Sequence, residues 1–126
     1  MVCANPDLVV MFGEQPQICA GALAQAYEEL GGEVRWHGKP LPGVYDACFE
    51  LLGLEDRRQI AGIGDSLRTD IAGAQDAGID ALWVSSGIHA GELGTSHGIH
   101  APPEALAATC EQAGRWPSGV LPGFIW

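Results

Sequence analysis

An apolar run that leads directly into two aspartates is the strongest chemical feature of the sequence. Ile60–Gly64 is small and apolar, and the segment Gly64–Asp70 (GDSLRTD) continues from it. A strand ending at Asp65 would present this carboxylate at the carboxyl edge of a parallel sheet, where open α/β folds bind ligands. Asp70, in the first turn of the next helix, can face the same crevice. Two carboxylates on a short turn suit Mg²⁺, which takes one or two carboxylates together with water or phosphate oxygens.

Lys39, the only lysine in the sequence, is the second feature. It lies between Gly38 and Pro40, where the backbone is sharply shaped. An ammonium group held there can neutralise the charge of a phosphate.

Each feature also has a plainer interpretation, which the spacing alone leaves open. Asp70 could stabilise the helix N-terminus through the helix dipole, and Asp65 could be a solvated turn residue. Lys39 could be an ordinary surface lysine.

Alternating strand and helix patterns favour an α/β fold. Short apolar runs predict strands at 2–4, 8–12, 34–37, 60–64 and 81–85, and we expect the strand at 60–64 to be buried on both faces. The segment 86–102 is predicted to be a loop, and the tail 116–126 is predicted to pack as irregular chain.

Four helices are predicted where apolar residues recur on one helical face. The predicted inward residues are Leu23, Ala26, Tyr27 and Leu30; Val44, Ala47, Cys48, Leu51 and Leu52; Ile71, Ala74 and Ala77; and Leu106, Cys110 and Ala113. Ser66 or Thr69 is expected to cap the third helix, and the fourth is predicted over Pro103–Ala113.

Composition and charge bound the classes of partner. The 126 residues suit one domain, and the formal net charge of −10 argues against nucleic acid and membrane surfaces as partners. No apolar stretch reaches the roughly 18 residues of a spanning helix, and no secretion signal is recognisable. The four scattered cysteines predict reduced thiols in a reducing cytoplasm, and they are Cys3, Cys19, Cys48 and Cys110.

The histidines and tryptophans are predicted to have no role in chemistry. We interpret His89, His97 and His100 as solvated loop residues rather than a metal site. The tryptophans are expected to be packing residues, and they are Trp36, Trp83, Trp116 and Trp126.

Taken together, the motifs resemble those of the haloacid dehalogenase (HAD) superfamily, and most closely its class IIA phosphatases. Gly38–Pro40 (GKP) resembles the third motif of that family, and Gly64–Asp70 resembles the fourth. Ala4–Asp7 (ANPD) resembles a turn late in the class IIA cap, and Val84–Gly87 (VSSG) resembles the strand end that follows the fourth motif. The resemblance covers residue 2 to about residue 94.

The resemblance implies a partial HAD fold. Residues 1–37 are similar to the C-terminal part of an α/β cap of the C2 type. Residues 38–126 are similar to the C-terminal half of a Rossmann-like core, a parallel sheet with flanking helices. The chain is therefore expected to correspond to the C-terminal portion of a class IIA enzyme.

The resemblance also implies a Mg²⁺-dependent phosphatase that acts on small phosphorylated metabolites such as sugar phosphates, nucleotides or pyridoxal phosphate. In such enzymes an aspartate attacks phosphorus and water then cleaves the aspartyl-phosphate. By resemblance, Lys39 steadies the charge of the nucleophile and the phosphoryl group, and Asp65 binds Mg²⁺. Asp70 holds the metal site from the same loop. Ser66 supports the outer shell of the metal, and Gly64 is a further supporting residue of the site.

The sequence departs from the family in its first motif, because it contains no Asp-x-Asp pair. That pair supplies the nucleophile and the general acid at the end of the first strand. We therefore expect the chain alone to be weakly active or inactive. The missing strand is also expected to leave an open apolar sheet edge, which invites pairing with a second copy or a complementing chain. The alternatives are a non-catalytic binding or oligomerisation module and a truncated gene product.

Overall fold

Strands and helices alternate in the computed structural model, which describes residues 1–13 and 15–124. The strands are β1 (Val2–Cys3), β2 (Val9–Phe12), β3 (Gln15–Ile18), β4 (Arg35–Trp36), β5 (Ala61–Gly64), β6 (Asp80–Val84) and β7 (Gly119–Leu121). The helices are α1 (Ala20–Glu29), α2 (Pro42–Leu52), α3 (Ala72–Asp76), α4 (Ala90–Leu93) and α5 (Pro103–Ala113). This order confirms the α/β class. No helix in the described ranges has the length and apolar character needed to cross a bilayer.

A parallel sheet of three strands, in the order β5-β6-β7, is the largest sheet in the described residues. The prediction that the tail 116–126 is irregular is wrong for Gly119–Leu121, because β7 adds a third strand beside β6. Partners across the sheet point to the same face, so the pairings Gly62↔Ala81 and Trp83↔Val120 define one face. Ile63↔Leu82 and Val84↔Leu121 define the other.

The core lies on the first of these faces. Trp83 and Ala81 are fully buried there against Ile71 and Ala74, and Cys110 of α5 completes the cluster. The predicted inward face of α3 is therefore confirmed. In α5 the inward residues are Leu106 and Cys110, whereas Ala113 is exposed because it lies in the last turn.

The opposite face of β5 is uncovered, so the expectation that this strand is buried on both faces is wrong. A Cβ on Gly62 would come within 2.7 Å of the Ala74 side chain, which identifies the covered side. Ala61 and Ile63 point the other way, and Ile63 is 47% exposed.

Residues 1–37 contain two small strand pairs and α1. β1 pairs in parallel with β4, and β2 and β3 form an antiparallel hairpin. β3 was not predicted because its sequence, Gln15–Ile18 (QPQI), lacks a strand pattern. The division of the chain into 1–37 and 38–126 stays a prediction.

Two predicted helical faces are wrong. α1 buries only Gly21 and Ala24, and Leu30, which follows its last residue, is 88% exposed. α2 turns Tyr45 toward the core, while Leu51 is 88% exposed. The other predicted inward residues that are exposed are Leu23, Ala26, Tyr27, Ala47, Cys48 and Leu52. The segment 86–102 is also not wholly loop, since it contains α4.

Candidate functional site

Asp65 stands at the carboxyl end of β5, as predicted. Its Oδ2 atom accepts a hydrogen bond of 2.9 Å from the backbone N–H of Ile88. Its carbonyl oxygen accepts a bond of 3.0 Å from the indole N–H of Trp83. A Cβ on Gly87 would lie 2.1 Å from Oδ2, so only glycine lets the loop after β6 approach so closely. These contacts hold the carboxylate in one place at the sheet edge.

Asp70 folds back over the loop that leads out of β5. Its Oδ2 atom accepts two hydrogen bonds of 3.0 Å, from the backbone N–H groups of Asp65 and Ser66. A Cβ on Gly64 would lie 2.2 Å from the Asp70 carboxyl carbon, which explains the glycine at this position. The Asp70 side chain is 10% exposed. It therefore shapes the loop that carries Asp65.

Ser66 caps the turn that follows. Its hydroxyl oxygen accepts a hydrogen bond of 3.2 Å from the backbone N–H of Thr69, which confirms Ser66 rather than Thr69 as the cap. The first turn, Leu67–Ile71, is a π-helix before α3 begins.

Lys39 reaches the same loop from the segment before α2. Its ammonium group forms an ion pair with Asp70 Oδ1, and half of its side chain is exposed. Gly38 has φ +96°, and a Cβ there would come within 2.7 Å of the Ala4 carbonyl oxygen. The Lys39–Pro40 peptide bond is cis. The structure thus brings the two predicted motifs into contact.

Asp7 and Arg68 also belong to the site, and the sequence did not identify them. The Thr69 hydroxyl donates to Asp7 Oδ1 at 3.0 Å, and Arg68 Nη2 donates to the Pro6 carbonyl oxygen at 2.8 Å. Arg68 Nη2 lies 3.9 Å from Asp7 Oδ1. These bonds join residues 62 positions apart, so no local spacing could reveal them. The resemblance to the class IIA cap included the turn Ala4–Asp7, but it implied no role for Asp7 in the site.

Two cavities share Asp65 as part of their walls. One, of about 440 Å³, lies against the uncovered sheet face and is lined by Ile63, Val84 and His97 among others. The other, of about 620 Å³, lies between the β2–β3 hairpin and the loop after β6, with Val10 and Met11 in its wall. Both are large enough for a small organic molecule.

The histidines do not gather into a metal site. His89 packs edge-on against Trp83 with ring centroids 5.4 Å apart, and it contacts Glu92 at 3.0 Å. The interpretation of His89 as solvated is therefore wrong, whereas His97 and His100 are exposed. In the described ranges, no three or more His, Cys, Asp or Glu side chains form a group able to hold a metal.

The tryptophans differ in burial. Trp83 is fully buried, and Trp36 is partly buried with its indole N–H donating to Glu28 at 3.0 Å. Trp116 is 61% exposed, so its predicted packing role is wrong, and Trp126 lies outside the described residues.

The donor set fits Mg²⁺ held by few protein ligands. Asp65, which lines both cavities, is one carboxylate residue of the site. The carboxylate of Asp70, five residues on, is engaged by Lys39 and two backbone N–H groups. Mg²⁺ commonly keeps several waters and takes one or two carboxylates plus substrate phosphate. Asp65 would hold the ion directly, and Asp70 would support it through the loop.

Lys39 leads to a prediction about pH. Burial lowers the pKa of Lys39, but the hydrogen bond and charge of Asp70 outweigh burial, and the pKa lies above its ordinary value of 10.5. Because the folded pKa is raised, the stability that Lys39 contributes is present below pH 10.5 and is lost as pH rises through the folded pKa. Urea unfolding between pH 8 and 11 should therefore show a Lys39→Met variant approaching the wild-type stability at the alkaline end. A constant difference would contradict the raised pKa.

Comparison with known proteins places the chain in a family. A family model described as HAD-hydrolase-like matches residues 36–113. Ribonucleotide monophosphatase NagD of Escherichia coli K12 is 30% identical over 88 residues, which are 69% of this chain and 34% of NagD. Human N-acylneuraminate-9-phosphatase is 36% identical over 76 residues, which are 57% of this chain and 29% of that protein. The chain thus spans about a third of the length of these curated relatives.

Solved structures show the same relationship. A haloacid dehalogenase-like hydrolase from Brucella suis has a TM-score of 0.70 and 33% identity, covering 98% of this chain and 44% of that one. The p-nitrophenyl phosphatase from Archaeoglobus fulgidus has a TM-score of 0.70 and 25% identity, covering 94% of this chain and 41% of that one. The family model spans more than half of the chain and contains Lys39, Asp65 and Asp70. The chain belongs to the HAD-hydrolase-like family.

Proposed function

We propose that this chain supplies the metal- and phosphate-binding half of a Mg²⁺-dependent phosphatase of the class IIA type, corresponding to its C-terminal portion. One observation carries the proposal: Lys39 and Asp65, 26 positions apart in the sequence, are joined through Asp70 at the carboxyl end of β5. Asp70 pairs with the Lys39 ammonium through Oδ1 and accepts the backbone N–H of Asp65 through Oδ2. A cation and a carboxylate residue anchored to the same loop at that edge suit a phosphate ester and its metal.

Each residue has a distinct part in this proposal. Asp65 holds Mg²⁺, which when bound neutralises charge on a phosphoryl oxygen. Half of the Lys39 side chain is exposed, and its ammonium binds a second phosphoryl oxygen. Asp70 aims Lys39 and fixes the two backbone N–H groups of the loop. Ser66 and Gly64 hold the loop in the shape that this arrangement needs.

The chain provides no Asp-x-Asp pair, so covalent catalysis needs a nucleophile from outside these residues. Loss of such a nucleophile costs several orders of magnitude in rate in enzymes that form covalent intermediates. We therefore expect the chain alone to hydrolyse p-nitrophenyl phosphate weakly or not at all. Fast turnover that Mg²⁺ stimulates would contradict this expectation.

The substrate is proposed to be a small phosphorylated metabolite. The relatives are named for phosphate esters with different organic groups, a ribonucleotide, an acylneuraminate and p-nitrophenol, so the shared part is the phosphate. The cavity of about 620 Å³ beside Asp65 has Val10, Met11 and Ile88 in its wall, which suits an organic group of modest polarity. The four unpaired thiols accord with a reducing cytoplasm as its place of action.

Mg²⁺ binding tests the proposal directly. Asp65→Asn keeps an oxygen that can accept the Ile88 hydrogen bond but removes the charge. We expect it to weaken Mg²⁺ binding by more than the roughly 10–100-fold that loss of an outer-shell partner costs. Calorimetric titration of the chain with Mg²⁺ in the presence of inorganic phosphate measures this effect.

Asp46→Asn, in the exposed part of α2, is the matched control, since it removes the same charge away from the site. It should bind Mg²⁺ like the unaltered chain. Equal affinities for the Asp65 and Asp46 variants would refute Asp65 as the metal ligand.

A further inference from the structure

The turn Ala4–Asp7 contacts the segment that carries Lys39. A Cβ on Gly38 would come within 2.7 Å of the Ala4 carbonyl oxygen and 2.9 Å of Pro6 Cδ, so only glycine allows this approach. Gly38 directly precedes Lys39 in the sequence. The segment that positions the ammonium group is therefore packed against the turn.

The same turn also holds the two residues that precede Asp70. Arg68 Nη2 donates to the Pro6 carbonyl oxygen at 2.8 Å. The Thr69 hydroxyl donates to Asp7 Oδ1 at 3.0 Å. Both loops of the candidate site are thus tied to one turn near the start of the chain.

Asp7 can serve as an anchor because its own backbone is fixed. Its N–H donates to Asn5 Oδ1 at 3.1 Å, and its carbonyl oxygen accepts a bond of 3.1 Å from the N–H of Gly21. A Cβ on Gly21 would lie 2.6 Å from that oxygen, so the first turn of α1 packs directly on the Asp7 backbone. The carboxylate therefore extends from a backbone that α1 holds in place.

Thr69 passes this restraint on to Asp70. Thr69 is 1% exposed, and its backbone N–H donates to the Ser66 hydroxyl at 3.2 Å. A β-branched side chain has few rotamers, so a bond that holds the hydroxyl also restricts the backbone. The next residue, Asp70, bonds Lys39 and two backbone N–H groups at once. A shift of Thr69 would therefore move the Asp70 carboxylate away from these partners.

We propose that Asp7 is a positioning residue of the metal and phosphate site. Its carboxylate holds the Thr69 hydroxyl, and Thr69 in turn sets where the Asp70 carboxylate lies. The inference deepens the proposed function and rests on it for the identity of the ligands. The site is completed by a side chain from residues 1–37, outside the two motifs that carry Lys39 and Asp70.

Two substitutions break the bond between Asp7 and Thr69 from its opposite ends. Thr69→Val removes the buried hydroxyl, and Asp7→Ala removes the partly exposed acceptor. Each is expected to weaken Mg²⁺ binding about 3–10-fold, below the roughly 10–100-fold that loss of an outer-shell partner costs, since Asp7 acts through Asp70. The double variant should bind about as weakly as Asp7→Ala alone, because both changes remove the same bond. Calorimetric titration in the presence of inorganic phosphate measures these affinities.

Two control variants separate positioning from the general loss of a hydroxyl. Thr69→Ser keeps the donor and should bind Mg²⁺ like the unaltered chain. Thr109→Val removes a hydroxyl that donates to the Ala105 carbonyl oxygen at 3.0 Å within α5, and it should also leave the affinity unchanged. Thermal unfolding verifies that each variant is folded at the temperature of the titration. If Thr69→Val is not, Asp7→Ala, at a partly exposed residue, decides the test.

Nuclear magnetic resonance reports the position of Asp70 without any ligand. The amide N–H groups of Asp65 and Ser66 donate to Asp70 Oδ2. Their proton signals should move upfield in the two bond-breaking variants and stay in place in Thr109→Val. A change in stability alone would leave these signals of the folded molecules unchanged.

The outcomes distinguish the two proposals. Unchanged amide signals, or an affinity for Mg²⁺ that neither bond-breaking substitution alters, would overturn the role of Asp7. If the unaltered chain binds no Mg²⁺, the proposed function fails, and the amide signals alone then decide whether Asp7 positions Asp70.

Discussion

Asp70→Ala is expected to lower the free energy of unfolding by about 2–4 kcal/mol and to weaken Mg²⁺ binding by roughly 10–100-fold. Two backbone N–H groups, of Asp65 and Ser66, lose a charged acceptor at 3.0 Å, and hydrogen bonds to charged groups contribute about 1.5–3 kcal/mol each. The ion pair with Lys39 adds less, since half of the Lys39 side chain is exposed and solvent screens its charge. Urea unfolding gives the first quantity and calorimetric titration the second.

Two further variants separate the loop from the ion pair. Asp70→Asn keeps an oxygen for the two N–H groups but not the charge, so it should lose about half as much stability. Asp76→Ala removes an aspartate of α3 whose pair with Arg115 is exposed, and it should change stability by no more than about 1 kcal/mol. If Asp70→Ala were as mild as Asp76→Ala, Asp70 would not organise the loop.

The sequence predicted the elements near the site well because each is set locally. A small apolar strand, a serine cap and an apolar face on α3 are encoded within 61–77, and all three are present. The contact between Lys39 and Asp70 came from resemblance, since 31 positions separate them.

The wrong predictions about buried faces share one physical cause. The periodicity of apolar residues shows which face of an element is apolar, but not whether another element packs against that face. The predicted inward faces of β5, α1 and α2 are apolar yet exposed. Leu51 and Leu30, both 88% exposed, have the spacing of buried residues. The role of Asp7 could not be predicted either, because its partners Arg68 and Thr69 are distant in sequence.

Trp83→Ala is expected to cost about 3–5 kcal/mol of unfolding free energy, the usual loss when a fully buried large aromatic is truncated. The total free energy of unfolding of a small domain is about 5–15 kcal/mol. A large fraction of the Trp83→Ala molecules should therefore be unfolded at moderate temperature. Trp83 packs in the core cluster with Leu67 and Ile71, and it is the largest fully buried side chain in the described residues. Denaturant unfolding followed by circular dichroism checks the loss.

Trp83→Phe isolates the link between this core and the site. It keeps most of the apolar volume but removes the indole N–H that donates to the Asp65 carbonyl at 3.0 Å. Leaving that carbonyl without its partner should cost about 1–3 kcal/mol and weaken Mg²⁺ binding, although the ring never touches the ion. Trp116→Ala, at a side chain 61% exposed, should stay within about 0.5 kcal/mol of the unaltered chain. Unchanged Mg²⁺ affinity in Trp83→Phe would show that the Asp65 carboxylate is placed by Ile88 and Gly87 alone. A weaker affinity would mean that the buried face of the sheet positions the proposed metal ligand.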